Sequence, residues 1–352
     1  MSISVTENDT NPDLSIEAIN SYGQDLGRGN MIGVQTYMGA SDYASAKQFY
    51  ARLDGYLDTA EQEGWLRPNS VVIFPEYIGT WLVVAGEHES ILQADRLESG
   101  MKRLIGRCLP RFLLTLPRSK GDDKIIDTLF RMKAKKMSRI YQETFAQLSR
   151  HYQVTIVAGS IVLPHPQIED GELVVSDGRL QNIACVFGSD GRIHPHITRK
   201  VYPVAKEISF LAAADATDLP VYETPAGRLG VLICADSWYP ATYATLAEKD
   251  VQLIAVPNNQ GHWQEPWPGY ATEFVPADVD GRDTGQLTER EAWLKYALAG
   301  RMHTTGAAAG MHVFFHGRLW DQIGNGQTIL MNGNKLLEAP YVEKAALVNM
   351  WL

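Results

Sequence analysis

The 352-residue sequence predicts an α/β fold in a single domain, and three observations favour this class. Short apolar runs typical of buried strands alternate with longer segments whose apolar residues recur every three or four positions. Turn residues lie between neighbouring apolar runs at spacings that indicate hairpins. No Pro/Gly/Ser-rich spacer divides the chain after residue 30, and 45% hydrophobic residues suffice for one large core. Strand–helix units mixed with hairpins indicate helices that flank sheets.

The first half of the chain predicts a strand–helix–strand unit and then a long helix. An apolar strand run covers residues 31–37, and helical spacing follows over 46–60. The next strand begins at residue 71, and a second helical pattern covers 125–148. A strand over 154–158 completes this half.

The second half predicts a hairpin followed by further strand–helix units. The hairpin covers residues 183–197 and turns at Ser189-Asp190-Gly191. An Ala-Gly-Arg turn then precedes a strand that ends at residue 233. The remaining predicted elements are a helix over 241–248, a strand over 251–256, a helix over 289–309, strands over 312–315 and 327–330, a hairpin turn at Asn332-Gly333 and a last strand over 345–348.

Three of these segments end in side chains that can carry out chemistry. The apolar run after residue 229 ends at Cys234, the run after residue 71 ends in Pro75-Glu76, and the predicted hairpin leads into Lys200. Open α/β sheets place their sites at the carboxyl ends of strands, so we expect this thiol, carboxylate and amine to share a site. A cysteine in an apolar run is also a common core residue, so Cys234 alone would not establish a catalytic role.

The order and surroundings of these residues resemble a known enzyme family. Phe-Pro-Glu76, Arg-Lys200 with Glu207 seven positions further on, and Cys234-Ala-Asp-Ser-Trp-Tyr-Pro together resemble the nitrilase, or carbon-nitrogen hydrolase, superfamily. The similarity extends from residue 31 to residue 348. It implies a four-layer α-β-β-α sandwich that assembles into a homodimer or a higher homo-oligomer.

The resemblance also implies a role for each residue of the site. The Cys234 thiol attacks an amide or nitrile carbon and forms a thioester, and Glu76 moves the protons. The Lys200 ammonium and the backbone N–H of Ala235 hold the negative charge that develops on oxygen. Glu207 orients Lys200, although a solvated carboxylate at a helix start is the alternative interpretation. This chemistry requires no metal and no cofactor.

The residues after Cys234 favour one branch of the superfamily. Nitrile-hydrolysing members usually have Trp-Glu after the cysteine, whereas this chain has Ala-Asp, which resembles the amidase and N-carbamoyl-amine amidohydrolase branch. The expected substrate is therefore a small amide or N-carbamoyl compound. A nitrilase and a catalytically inactive binding module with the same fold are the alternatives. Tyr77, Trp238 and Asn258 are candidate substrate contacts, although large aromatic residues also fill cores.

Composition restricts the partners. A net charge of −9 argues against nucleic acid, because phosphate binding needs a positive surface. Basic residues between positions 131 and 139 alternate with apolar ones at helical spacing and are interpreted as a solvated helix face. The longest apolar runs stop short of the roughly 18 residues that span a membrane, so no membrane partner is expected. Three cysteines without a pairing rhythm predict a reducing, cytoplasmic location.

Two segments lie outside the family pattern. Residues 1–28 are acidic and lack the apolar stretch of a secretion signal, so a flexible N-terminal arm is predicted, with the hydrolase domain over 29–352. Residues 84–120 are longer than the pattern requires. They are interpreted as an insertion, either near the pocket mouth or at an oligomer interface.

Overall fold

A computed structural model describes residues 13–270 and 275–352. The described strands form two six-stranded and two three-stranded sheets. In chain order the strands are β1 (Ile16–Tyr22), β2 (Asn30–Gln35), β3 (Tyr37–Gly39), β4 (Ser70–Ile73), β5 (Thr155–Val157), β6 (Ile161–Glu169), β7 (Glu172–Ala184), β8 (Val186–Phe187), β9 (Thr198–Arg199), β10 (Val221–Thr224), β11 (Gly227–Val231), β12 (Leu253–Asn258), β13 (Ala309–Phe314), β14 (His316–Leu319), β15 (Gln322–Gly324), β16 (Ile329–Asn332), β17 (Lys335–Glu338) and β18 (Ala345–Trp351). The α-helices are α1 (Ala46–Gln62), α2 (Glu89–Leu92), α3 (Leu97–Arg107), α4 (Leu109–Thr115), α5 (Lys124–Tyr152), α6 (Pro240–Glu248), α7 (Glu289–Tyr296) and α8 (Leu298–Arg301).

The two large sheets pack face to face. The first has the strand order β1-β18-β2-β4-β5-β8, and the second has the order β10-β11-β12-β13-β16-β17. Met31 and Val71 from the first sheet share a buried cluster with Val231 and Met311 from the second. Helices α1 and α5 cover the outer face of the first sheet, and α6 and α8 cover that of the second. These layers confirm the predicted α-β-β-α sandwich.

The helices begin and end where local side chains favour it. The Ser45 hydroxyl accepts a hydrogen bond from the Gln48 N–H and caps α1. The Asp123 carboxylate accepts two N–H groups at the start of α5, and Gln153 ends that helix in the left-handed region. Helix α1 begins at the predicted residue and α5 begins one residue before its predicted start, because their apolar stripes face the first sheet.

Two predicted elements differ from the structure. The helix expected over 289–309 ends at Tyr296, α8 follows, and β13 already begins at Ala309. Gly300 packs against the Lys295 carbonyl so closely that a Cβ would lie 1.9 Å from its oxygen, which fixes a sharp bend between the two helices. The hairpin expected over 183–197 keeps its turn but has a single isolated bridge, Phe187 to Ile193, because β7 instead pairs with β6 and β9.

The N-terminal arm needs a correction where the structure describes it. Ile16–Tyr22 form β1, which pairs in parallel with β18 at the edge of the first sheet. An edge strand pairs along one side only and has a half-exposed face, so its hydropathy is weak although its backbone is hydrogen-bonded to β18. Residues 1–12 lie outside the described residues. The segment interpreted as an insertion contains α2, α3 and α4.

The basic run on α5 is less solvated than expected. Lys133 is buried and forms an ion pair with Glu87, and the Arg131 side chain is buried against Asp127. Lys135 and Arg139 do face solvent. The prediction was therefore wrong for Arg131 and Lys133, because long basic side chains can bury their stems when an acidic partner is present.

No described helix is both long enough and apolar enough to cross a membrane.

Candidate active site

Glu76 lies just beyond the carboxyl end of β4 and is buried. Its backbone N–H donates to the Asn258 carbonyl, 3.3 Å away, which links the loop after β4 to the end of β12 in the second sheet. Gly159 packs beneath this loop with φ +62, and a Cβ there would lie 2.1 Å from the Pro75 oxygen. The position of Glu76 is therefore fixed by both sheets and by a close backbone approach that only glycine permits.

Lys200 follows β9 and places its ammonium between two carboxylates. Nζ lies 2.8 Å from Glu76 Oε1 and 2.9 Å from Glu207 Oε2, and the side chain is only 2% exposed. The Val204 N–H donates to Glu207 Oε2 at 2.8 Å, which holds the second carboxylate in place. A buried cation with two anions at this distance is a rigid electrostatic unit.

Cys234 begins a 3₁₀ turn that follows β11 in the second sheet. Its φ of +50 is in the left-handed region, which costs a residue with a Cβ about 1–2 kcal/mol. The thiol donates to the Asn259 carbonyl at 3.8 Å, and the Ser237 hydroxyl donates to the Cys234 carbonyl at 2.7 Å. Strain of this kind collects at functional sites, where surrounding contacts hold the residue in place.

The electrostatics of the cluster hold Cys234 as a neutral thiol at rest. Burial raises the pKa of Cys234 well above its usual range and the charge of Glu76 adds to this, whereas the Lys200 ammonium lowers it. Burial also raises the pKa of Glu207, again with a contribution from Glu76. Burial is the largest single influence and lowers the pKa of Lys200, but the neighbouring acidic groups, Glu76 first among them, together outweigh it and the net direction is upward. Lys200 is therefore a permanent cation beside the thiol.

Asp236 is a site residue that was not predicted from the sequence. This carboxylate is fully buried and accepts from the backbone N–H groups of Val201 at 2.9 Å, Tyr202 at 2.8 Å and Ile233 at 3.2 Å. It joins the turn that carries Cys234 to the segment after Lys200. Burial raises its pKa to about 7, although these N–H donors oppose the shift. Its position two residues after the cysteine was the signal that could have identified it.

Asn182 is the second residue that the sequence analysis missed. Its Nδ2 donates to Glu76 Oε1 at 2.9 Å, and its carbonyl accepts from the Lys200 N–H at 2.9 Å. Asn182 Oδ1 is buried and has no hydrogen-bond partner among the described residues. A lone asparagine near the end of an apolar strand was the available signal, because an interior amide needs polar partners.

The four residues expected around the substrate differ in their surroundings. Ala235 follows the thiol in the same turn, and the Tyr77 ring centre lies 5.9 Å from Lys200 Nζ. The Trp238 indole instead packs among aromatic rings, including Trp293 at 4.7 Å. The Asn258 side chain pairs with His312, 2.8 Å away. Ala235 and Tyr77 thus lie at the charged cluster, whereas Trp238 and Asn258 have other side-chain partners.

Among residues 13–270 and 275–352, no three histidine, cysteine, aspartate or glutamate side chains are grouped in a way that could hold a metal ion. The charge in the site comes from Lys200 and its carboxylates.

Known structures share this fold. An amidase from Nesterenkonia sp. AN1, with acrylamide added to its active site cysteine, superposes with a TM-score of 0.54 at 12% identity. The match covers 92% of this chain and 93% of the amidase. At this identity the similarity establishes the fold.

Curated relatives match shorter parts of the chain. Nitrilase 2 of Arabidopsis thaliana is 34% identical over 68 residues, which are 19% of this chain and 20% of the relative. The chloroplastic omega-amidase of the same plant is 28% identical over 155 residues, or 40% of this chain and 39% of the relative. The chain thus spans well under half the length of these relatives. A carbon-nitrogen hydrolase family profile matches residues 38–273, about two thirds of the chain. The chain therefore belongs to the carbon-nitrogen hydrolase family.

Proposed function

We propose that this protein hydrolyses a non-peptide C–N bond of a small amide or N-carbamoyl compound through a thioester on Cys234. The observation that carries the proposal is the Lys200 ammonium, buried between Glu76 and Glu207 and electrostatically coupled to the thiol. A nucleophile, a proton acceptor and a fixed cation are the groups that acyl transfer from nitrogen requires.

Attack begins with transfer of the thiol proton to Glu76. Because the resting thiol is neutral, the proton leaves as Sγ approaches the carbonyl carbon, so no free thiolate accumulates. Asn182 and Lys200 both donate to Glu76 Oε1, which leaves Oε2 for the proton. The carbonyl π electrons move to oxygen, and the Lys200 ammonium and the Ala235 N–H stabilise that charge.

Collapse of the tetrahedral intermediate breaks the C–N bond. Glu76 gives its proton to the leaving nitrogen, which departs as ammonia or an amine, and the acyl group stays on Sγ as a thioester. Glu76 then takes a proton from water, the hydroxide oxygen attacks the thioester carbon, and the proton returns to sulfur as the acid leaves. Glu207 touches Lys200 and acts as a positioning residue.

Substrate contacts are assigned to the residues beside the charged cluster. Tyr77 faces Lys200, and we propose that its ring covers one side of the bound acyl group. Trp238 and Asn258 do not contact the substrate directly but support the wall of the site. The Trp238 ring packs on Trp293, and the Asn258 side chain hydrogen-bonds to His312. The homodimer or higher homo-oligomer implied by the sequence remains a prediction.

Nitrile hydrolysis is the second candidate, because nitrilase sequences are among the relatives. The same thiol could add to a C≡N carbon, and the thioimidate would then be hydrolysed by the same residues. The Ala-Asp pair after Cys234 favours the amide.

Ammonia release from matched panels of amides, ureido compounds and nitriles tests the proposal. We expect turnover with an amide or ureido compound and none with the Cys234→Ala variant. Turnover restricted to nitriles would replace the proposal by the second candidate. No turnover on any panel member, combined with a Cys234 that iodoacetamide does not alkylate, would favour a binding module.

A further inference from the structure

The segment over residues 96–120 is strongly basic although the chain is acidic. It carries seven cationic side chains and one anionic one, Glu98, within a chain of net charge −9. All seven are exposed in the structure. The seven are Arg96, Lys102, Arg103, Arg107, Arg111, Arg118 and Lys120. The positive charge of the segment is therefore presented to solvent against a negative body.

Helix α4 within this segment turns leucines outward. Leu109 is 45% exposed, Leu113 is 54% exposed and Leu114 is 79% exposed, whereas Phe112 alone of the seven helix residues is fully buried. At about 100° per residue, Leu109, Leu113, Pro110 and Leu114 occupy one continuous arc, and Arg111 borders it. Soluble helices usually place such an arc against a core. We call these leucines, with the seven cations, the basic–leucine patch.

The patch stands on a fixed base. Leu104 of α3 is buried in the core around the first sheet, and the Leu97 N–H donates to Asp321 at 2.9 Å. The Trp320 indole N–H donates to the Ile91 carbonyl at 2.8 Å and packs against Gly100. Phe112 of α4 is buried in the same core, so the outward leucines belong to an anchored helix and their exposure is a property of the folded chain.

We propose that the basic–leucine patch docks this protein on an anionic lipid surface. Leucines enter the boundary between headgroups and acyl chains, while the arginines and lysines of the same segment bind acidic headgroups. Charge complementarity selects this occupant. Two copies of the patch meeting across a twofold axis would oppose like charges, and nucleic acid would leave the leucines in water.

Adsorption of this kind needs no membrane-spanning segment. The described residues contain no spanning helix, so the patch would hold the protein at the surface only. The proposal departs from the sequence-based expectation of no membrane partner, which rested on apolar run length. The length of an apolar run cannot reveal leucines exposed on a short helix, because α4 has far fewer residues than a membrane-spanning run.

Vesicle sedimentation of the full chain tests the proposal. The vesicles are pure phosphatidylcholine or an equimolar mixture of phosphatidylcholine and phosphatidylglycerol. We expect binding to the mixed vesicles alone, and weaker binding as salt is added. Arg107→Gln combined with Arg111→Gln should weaken binding about 25-fold, since each basic residue near such a surface contributes about fivefold. Leu113→Ser combined with Leu114→Ser should weaken it about tenfold or more.

Matched controls lie elsewhere on the surface. Leu26→Ser and Arg192→Glu change side chains that are equally exposed outside the patch, and both should bind as the wild type does. Circular dichroism confirms that each variant is folded. Failure of the wild type to sediment with anionic vesicles, or equal sedimentation with neutral ones, overturns the proposal. A leucine variant with a different particle mass in light scattering would also overturn it, because the leucines would then hold copies of the chain together. Binding of duplex DNA in place of lipid would overturn it as well. Ammonia release is measured separately, so either proposal can fail alone.

Discussion

Replacement of Lys200 by methionine tests the balance of charges in the buried site. Lys200 Nζ lies 2.8 Å from Glu76 and 2.9 Å from Glu207 in the wild type. Methionine fills much of the same volume but carries no charge, so the two carboxylates lose their cation and remain as neighbouring anions. Removal of one partner from a buried ion pair typically costs about 3–5 kcal/mol, because the remaining charge is desolvated and uncompensated. We expect Lys200→Met to lower the free energy of unfolding by about that amount near neutral pH.

Acid should repair part of this loss, and the direction follows from the carboxylates. Burial raises the pKa of Glu207 in the folded state, so the folded protein binds a proton there more tightly than the unfolded chain does. Stability from such a group is complete below its unfolded pKa and is lost as pH rises through the folded value. Without Lys200 the upward shift grows, so the deficit shrinks as pH falls toward about 5.

Urea unfolding followed by circular dichroism measures the deficit, and Lys133→Met supplies a matched control. Lys133 is a second buried lysine, paired with Glu87 on the outer side of the first sheet. Both variants should lose stability, but only Lys200→Met should also lose kcat, by about 100-fold or more. A deficit below about 1 kcal/mol, a deficit independent of pH, or an equal loss of kcat in Lys133→Met would refute the reasoning.

Substitutions at three further positions test the site. Cys234→Ala should abolish ammonia release. Cys234→Gly should unfold at a higher temperature than Cys234→Ala, because glycine adopts the φ of +50 at this position without strain. The reverse order of unfolding temperatures would show that the turn is unstrained. Asp236→Asn should cost more stability at about pH 5 than at about pH 8. Burial raises the pKa of the Asp236 carboxyl to about 7, so the protonated carboxyl stabilises the fold below that value. A loss of stability that does not depend on pH would contradict this. Gly159→Ala should lower kcat by displacing Pro75. Gly171 also has a positive φ, +81, but has open space around it, so Gly171→Ala should affect stability alone. Equal kcat values for the two variants would show that the close contact at Gly159 does not matter for activity.

The sequence could propose the three candidate site residues because each follows a strand run. Glu76, Lys200 and Cys234 are all preceded by residues whose pattern predicts extended, buried backbone, and the carboxyl ends of such strands converge. The structure brings Glu76 and Lys200 into direct contact as expected. Their catalytic roles remain proposals, as does that of the thiol.

The supporting residues could not be predicted in the same way. Asn182 acts on Glu76, 106 positions away, and Asp236 acts on Val201, 35 positions away. A local pattern contains no record of such a partner, since the same side chain in a different fold would face solvent. The edge strand β1 was not predicted for a related reason. Its pairing with β18 is a backbone interaction, which the hydropathy of the side chains does not reflect.

The two sheets contribute different halves of the site, and this has a physical consequence. Glu76 follows a strand of the first sheet, whereas Cys234 follows a strand of the second, and the Glu76 N–H bond to the Asn258 carbonyl connects them. The spacing of the sheets therefore contributes to the separation of Glu76 and Cys234. Gly33 lies where the sheets approach closely, and a Cβ there would lie 2.8 Å from Met311 Sδ. A side chain at that position would push the sheets apart, so in the proposed mechanism the packing at Gly33 contributes to whether proton transfer to Glu76 and attack by Cys234 can coincide.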